Sequence, residues 1–281
     1  MITAYLTMLR PTQWLKNLLF FFPPFLAGHM LLPGVFIRGM APFGAFCLVS
    51  SAGYIFNDLL DRKRDLHHPR KSLRPLPSGA VSIRGSALLS VLLLVSGLSL
   101  AGMVSFHMLL MLLGYAVVSL SYSMFLKSVP VFDLFCISAG FLIRLQAGGD
   151  LFQIQITPWL FLSVFLLAVF LSTGKRLSES RVLGDVAGEH RASLALYPSG
   201  FLAGTMYMTG GSVLVTYAMY ALHKPKLIYS VPLCLFGLLR YILRVSSGKS
   251  GDPTESLLKD WILFVVSLLW VLMVVWSIYR W

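Results

Sequence analysis

The segment Asn57-Asp58-Leu59-Leu60-Asp61-Arg62-Lys63-Arg64-Asp65 ends an apolar stretch with three carboxylates, in a 281-residue chain that holds only 11 acids. Asp58, Asp61 and Asp65 stand at i, i+3 and i+7, so a helix puts them on one face. Asn57, four residues before Asp61, joins that face. Carboxylates gathered at a membrane edge are costly unless a cation or phosphate-bound metal neutralises them. A hard cation such as Mg²⁺ takes oxygen ligands and bridges carboxylates to substrate phosphates. Arg70, Lys71 and Arg74 follow and supply counter-charge for phosphates. A loop that merely fixes topology needs Lys and Arg, not three acids in helical register. The segment therefore points to Mg²⁺-diphosphate chemistry at a membrane surface.

A second cluster, Gly174-Lys175-Arg176-Leu177-Ser178-Glu179, follows another apolar stretch. Lys175 and Glu179 are spaced as a simple helix-surface pair, and equally as part of a phosphate clamp facing the first cluster. Smaller signals are Lys16 and Asn17 where the N-terminal stretch meets the membrane, Tyr122 and Lys127 at the end of one apolar run, and Asp133 at the start of the next. Arg144 lies inside that run, where it is either a functional cation or a structural partner for a carbonyl or for Asp150. His67 and His68 lack a Cys/His partner set and read as surface residues. Cys47, Cys136 and Cys234 are far apart, which argues against a disulfide framework or a zinc site.

The elements that must position these residues are apolar helices. The chain is 57% hydrophobic and 12% charged, with a mean hydropathy of +0.79. Soluble domains carry about twice that charge fraction. The expected fold class is an all-α integral membrane protein, one polytopic domain over 1–281 without a soluble domain. Nine spans are expected, at 17–33, 39–57, 86–105, 107–126, 131–149, 157–174, 200–222, 226–244 and 260–280. Pro23 and Pro24 predict a kink in the first. Lys and Arg crowd onto the side holding the N-terminus and the 58–85, 127–130, 175–199 and 245–259 connections, which makes that side cytoplasmic. Met1 to Asn17 resembles an interfacial stretch rather than a signal peptide. The net charge of +12 fits cytoplasmic loops, anionic lipid and anionic substrates, and no nucleic-acid partner is expected. Many apolar faces could pack against lipid or a second copy, so a homo-oligomer stays open. A transporter or lipid-binding scaffold would gather its polar groups near the bilayer midplane; here they gather at one face.

On these residues the chain resembles the UbiA superfamily of membrane prenyltransferases. Asn57-Asp58-x-x-Asp61-x-x-x-Asp65 followed by Arg74-Pro75-Leu76-x-x-Gly79 matches its first aspartate-rich motif. The second, DxxxD, is replaced by Lys175-Arg176-x-x-Glu179, and the family's Tyr-x-x-x-Lys is altered, Tyr122 and Lys127 being five apart. These departures resemble the decaprenyl-phosphate phosphoribosyltransferase branch, as do Arg10–Asn17, His68–Pro75, Val129–Asp133, Gly174–Arg176 and Gly251–Glu255. The resemblance implies a UbiA-type bundle with a cytoplasmic-side active site in a bacterial cell membrane. It implies a phosphoribosyl diphosphate donor, a polyprenyl phosphate acceptor, and Mg²⁺ held by Asp58, Asp61 and Asp65, with Asp58 and Asp61 as catalytic residues. Substrate-binding candidates are Lys16, Asn17, Asn57, Arg70, Lys71, Arg74, Tyr122, Lys127, Arg144, Lys175, Arg176 and Glu179. The alternative within the superfamily is prenyl transfer to an aromatic or glycerol-phosphate acceptor.

Overall fold

The computed structural model describes residues 2–66, 71–184, 192–224 and 226–279. Among these the chain is helical, with α1 (Ile2–Met8), a 3-10 segment (Pro11–Phe21), α2 (Phe22–Leu26), α3 (Val35–Asp65), α4 (Ile83–Val104), α5 (Phe106–Met124) and α6 (Phe132–Phe152). There follow α7 (Pro158–Leu183), α8 (Ala192–Leu196), α9 (Phe201–Leu222), α10 (Val231–Ser246), α11 (Pro253–Lys259) and α12 (Trp261–Ile278). Helix starts follow ordinary capping chemistry: Ser82, Ser105, Thr157, Asp252 and Asp260 each accept a backbone N–H of the first turn they precede. Neighbours in sequence pack side by side from α3 to α7, then α7 on α9, α9 on α10 and α10 on α12. Trp270 of α12 stacks on Phe22 of α2, which closes the bundle.

Seven helical stretches among the described residues are long and apolar enough to cross a membrane: α3 to α7, Leu227–Ser246 and α12. The chain is thus a multi-span membrane protein; one of the nine expected spans takes another form, and a second is helical but less apolar than the seven. The first, 17–33, is no continuous helix. Pro23 and Pro24 lack the N–H that an α-helix interior needs, so a 3-10 segment stops at Phe21 and α2 starts with the prolines in its first turn. The other, 200–222, is helical as α9, but Gly204, Thr205, Thr209, Gly210, Gly211, Ser212 and Thr216 dilute its hydropathy and it is not among the seven.

Two helices overshoot the spans expected of them, 39–57 and 157–174. At 31 residues α3 is about 46 Å long and α7, at 26, about 39 Å, against about 30 Å of hydrocarbon. Their extra turns carry the two charged clusters past the apolar layer. The 3-10 segment lies between α3 and α6. It comes so close to α6 that a Cβ on Gly148 would collide with the Phe20 carbonyl. This close approach buries Asn17 completely and turns Lys16 toward the interior. Phe20, Phe46, Leu112 and Tyr115 form the core beneath it.

Candidate active site

The overhanging end of α3 offers its acids to cations from three other segments. Arg10, in the turn before the 3-10 segment, reaches both oxygens of Asp58 at 2.6 and 2.8 Å and lies over the Tyr54 ring at 5.2 Å. Arg74 donates through one nitrogen to Asp58 at 3.1 Å and to Asp65 at 2.8 Å. Lys71 stands 4.0 Å from Asp65. Asp61 takes a different partner: the Lys127 ammonium donates to it at 2.6 Å and to the Asn57 amide oxygen at 3.1 Å, while the Asn57 amide nitrogen donates to Asp61 at 3.0 Å. The i, i+3, i+7 register is thus split. Asp58 and Asp65 are buried behind Arg74, and Asp61 faces inward.

The end of α7 is built the opposite way, with acids holding cations. Arg176 is buried, pairs with Glu179 one turn on, and lies 3.5 Å from Asp133 and 3.5 Å from the Tyr122 hydroxyl. Lys175 pairs with Asp252, the cap of α11, at 2.9 Å rather than with Glu179. The turn before α11 fits because Gly251 lies against the Gly174 carbonyl where a Cβ would collide. Burial opposes ionisation of Asp252, but Lys175 and Lys16 outweigh it and hold its carboxyl well below the usual range. Tyr197 is half-buried beside this region, and burial with its hydrogen bond to Asp133 holds its phenol above the ordinary value.

Deeper in the bundle Arg144 donates to Asn17 at 2.7 Å, to the Gly140 carbonyl at 2.6 Å and to Tyr115 at 2.9 Å, with its guanidinium 4.4 Å above the Tyr115 ring. Each of these acceptors is neutral. Asp150, its alternative partner, instead pairs with His107 at 2.9 Å and with Gln146 at 2.8 Å.

These parts enclose one cavity of ≈ 280 Å³. Asn57, Asp61, Lys71 and Arg74 line it from the first cluster, and Lys175, Arg176 and Glu179 from the second. Lys16, Tyr122, Lys127 and Arg144 complete the set. Asp58, Asp65 and Asn17 stand behind its wall as partners of lining residues, and Arg70 lies outside the described residues. Arg10, Tyr54, Arg64 and Tyr115 line the cavity as well, and sequence reasoning did not single them out as site residues. The signal for Arg10 was its place at the interface just ahead of Lys16; Tyr54 and Tyr115 gave none, because an aromatic in an apolar span looks like packing.

No group of three or more His, Cys, Asp or Glu suited to a metal ion occurs among the described residues. The oxygens of Asn57 and Asp61 nevertheless converge on a cation already, the ammonium of Lys127. Two oxygens facing a cavity, with Asp58 one turn behind, suit a hard ion that completes its shell with phosphate oxygens and water.

The model of the UbiA prenyltransferase family matches residues 21–268. The chain belongs to that family. It is 29% identical to the decaprenyl-phosphate phosphoribosyltransferase of Mycolicibacterium smegmatis, over 96% of this chain and 91% of that one. It is 30% identical to the enzyme of the same name from Corynebacterium glutamicum, over 96% and 85%. Among solved structures it resembles a UbiA homolog from Archaeoglobus fulgidus bound to GPP and Mg²⁺, with a TM-score of 0.74 and 21% identity over 99% of this chain and all of that one. A UbiA homolog from Aeropyrum pernix gives 0.68 at 15% identity over 95% and 97%. These two show a shared fold. Within this UbiA frame both motif positions, α3 and α7, contribute to one cavity, and the second carries cations where the first carries acids.

Proposed function

We propose that this protein transfers 5-phosphoribose from phosphoribosyl diphosphate to a polyprenyl phosphate at the cytoplasmic face of the membrane, releasing diphosphate. The observation that carries this reading is the charge of the cavity: nine Lys and Arg side chains line it, against the two carboxylates of Asp61 and Glu179. A prenyl diphosphate with an aromatic or glycerol-phosphate acceptor brings fewer phosphate groups and does not call for so many cations. A donor with a diphosphate and a 5-phosphate, meeting a second phosphate as nucleophile, does. The relatives named decaprenyl-phosphate phosphoribosyltransferase, matched over nearly the whole chain, support the same reading.

In the reaction a phosphate oxygen of the acceptor forms a bond to ribose C1 as the bond from C1 to the diphosphate oxygen breaks. The electron pair leaves with diphosphate, and C1 passes through oxocarbenium character. A phosphate monoester is already a nucleophile near neutral pH, so the step needs no strong general base. Mg²⁺ held by Asp61 and Asn57, with Asp58 and Asp65 behind the wall holding Arg10 and Arg74, would neutralise the leaving diphosphate. Arg74, Lys71 and Lys127 hold the donor's diphosphate against that face. Lys175 and Arg176 take the second anion from the opposite side, and their fixed spacing keeps two mutually repelling phosphates within reach. Arg144 and Lys16, deeper in the cavity, set how far a phosphate enters. Glu179 and Asp252 keep the Arg176 and Lys175 side chains aimed.

Membranes containing the protein, given labelled phosphoribosyl diphosphate, Mg²⁺ and a polyprenyl phosphate, are expected to yield a labelled lipid, and membranes with Asp61→Asn are not. No labelled lipid across several acceptor lengths, with folded protein verified, would overturn the reading.

A further inference from the structure

Asp133 is fully buried in the first turn of α6, where the helix dipole favours a carboxylate. Two side chains from the far side of the α7–α9 connection, and one from α7 itself, converge on it. The Tyr197 hydroxyl donates to Oδ1 at 2.6 Å, the Ser193 hydroxyl donates to Oδ2 at 3.2 Å, and Nε of Arg176 lies 3.5 Å from Oδ2. That Nε is buried and makes no hydrogen bond, and it faces the Asp133 carboxylate at 3.5 Å. The Tyr197 hydroxyl also accepts the Val131 N–H at 2.7 Å. Val131 has φ of +68°, a left-handed conformation that a β-branched residue adopts only where its surroundings impose it. Ala192 and Leu194 of α8 line the cavity. Five residues of helix cannot hold their own position, so α8 depends on the side chains that tie it down.

We propose that Asp133 and Tyr197 are positioning residues for the cavity: one carboxylate pins α8 against the cavity wall and, from the same oxygens, fixes the plane of the Arg176 guanidinium. Substrate contact with the second cluster then depends on a tie between Asp133 and Tyr197, 64 residues apart in sequence. Tyr197 touches no substrate in this arrangement. Its effect passes through Asp133 to Arg176. The kinetic arm of the test rests on the phosphoribosyl transfer proposed above; the exchange arm does not.

The test uses the full chain in detergent micelles. Tyr197→Phe removes the hydroxyl and keeps the ring that stacks on Phe201. Hydrogen exchange over 192–197 is expected to rise about tenfold or more in this variant, with α3 and α4 unchanged. In transfer, kcat/KM is expected to fall about 10- to 100-fold, mostly in KM for the phosphate substrates. In an Arg176→Lys background the same substitution is expected to cost less than about twofold, because its route is already cut. Ser193→Ala gives a smaller change of the same pattern, and serves if Tyr197→Phe does not fold. Unchanged exchange, or an equal loss in both backgrounds, would overturn the proposal. A wild-type protein that transfers nothing would sink the function proposed above, while the exchange measurement would still decide whether this tie holds α8.

Discussion

The overhanging ends of α3 and α7 occupy corresponding positions on one cavity and are electrostatic opposites. At α3, acids on the helix are matched by cations brought from elsewhere: Arg10, Lys71, Arg74 and Lys127. At α7, cations on the helix are matched by acids brought from elsewhere, Asp133 and Asp252, with Glu179 alone being local. A fold with two acidic ends can hold two groups of metal ions around one diphosphate. One acidic and one basic end instead suits a metal-bound diphosphate on one side and a bare phosphate on the other. The difference between the two ends is what separates this chain chemically from the family's prenyl-diphosphate pattern.

The comparison predicts effects of falling size. Chelating divalent metal with EDTA should abolish labelled-lipid formation and added Mg²⁺ should restore it. Asp61→Asn should lower kcat/KM by about 10²- to 10³-fold, because it removes the negative charge and one of the two oxygens of the carboxylate that the acidic end turns into the cavity. On the basic end, Arg176→Lys should cost about 10²-fold: a lysine keeps the charge but loses the planar fork that addresses Glu179 and Tyr122 together. Activity that survives Asp61→Asn but not Arg176→Lys would break the assignment of metal to one end and bare anion to the other.

Stability separates the buried Asp58 from the half-buried Asp252. Asp58 is 6% exposed between two guanidiniums, and Asp58→Asn leaves both short of a partner. The expected cost is about 1–3 kcal/mol, readable as a lowered Tm in detergent. The smallest effect belongs to Asp252. Its folded-state carboxyl is depressed by Lys175 and Lys16 against the opposing effect of burial, so its contribution is present above the unfolded carboxyl value of about 4 and is lost as pH falls toward the folded value. Asp252→Asn should therefore lower Tm by a few degrees at pH 7, with the gap to wild type beginning to narrow only below about pH 4. A gap that stays unchanged from pH 7 down to pH 3 would show that the effect comes from the altered side chain and not from its charge.

The local part of this arrangement was legible in the sequence. Helical register placed Asp58, Asp61 and Asp65 on one face, and the apolar runs placed most of the spans within a few residues. The overshoot of α3 and α7 was not, because an apolar window ends where charge begins although the helix itself continues. The split of the acidic face was equally hidden. It depends on Arg10, 48 residues before Asp58, and on Lys127, 66 residues after Asp61, and no periodicity relates residues so far apart. The same holds for Lys175, whose local spacing suggested Glu179 and whose partner is Asp252, 77 residues on. The first span failed for a local reason: two adjacent prolines do more than kink a helix when the segment before them has already tightened to a 3-10 form against α6.

The most direct test of the central claim offers both chemistries to one preparation. The purified protein with Mg²⁺ receives phosphoribosyl diphosphate and polyprenyl phosphate in one reaction, and geranylgeranyl diphosphate with an aromatic acid in another, and lipid products are read by mass spectrometry. The account predicts a phosphoribosyl lipid in the first, with one diphosphate released per lipid formed, and no prenylated product in the second. A prenylated acid without any phosphoribosyl lipid would contradict it, and would mean that the basic end of α7 serves a prenyl donor after all.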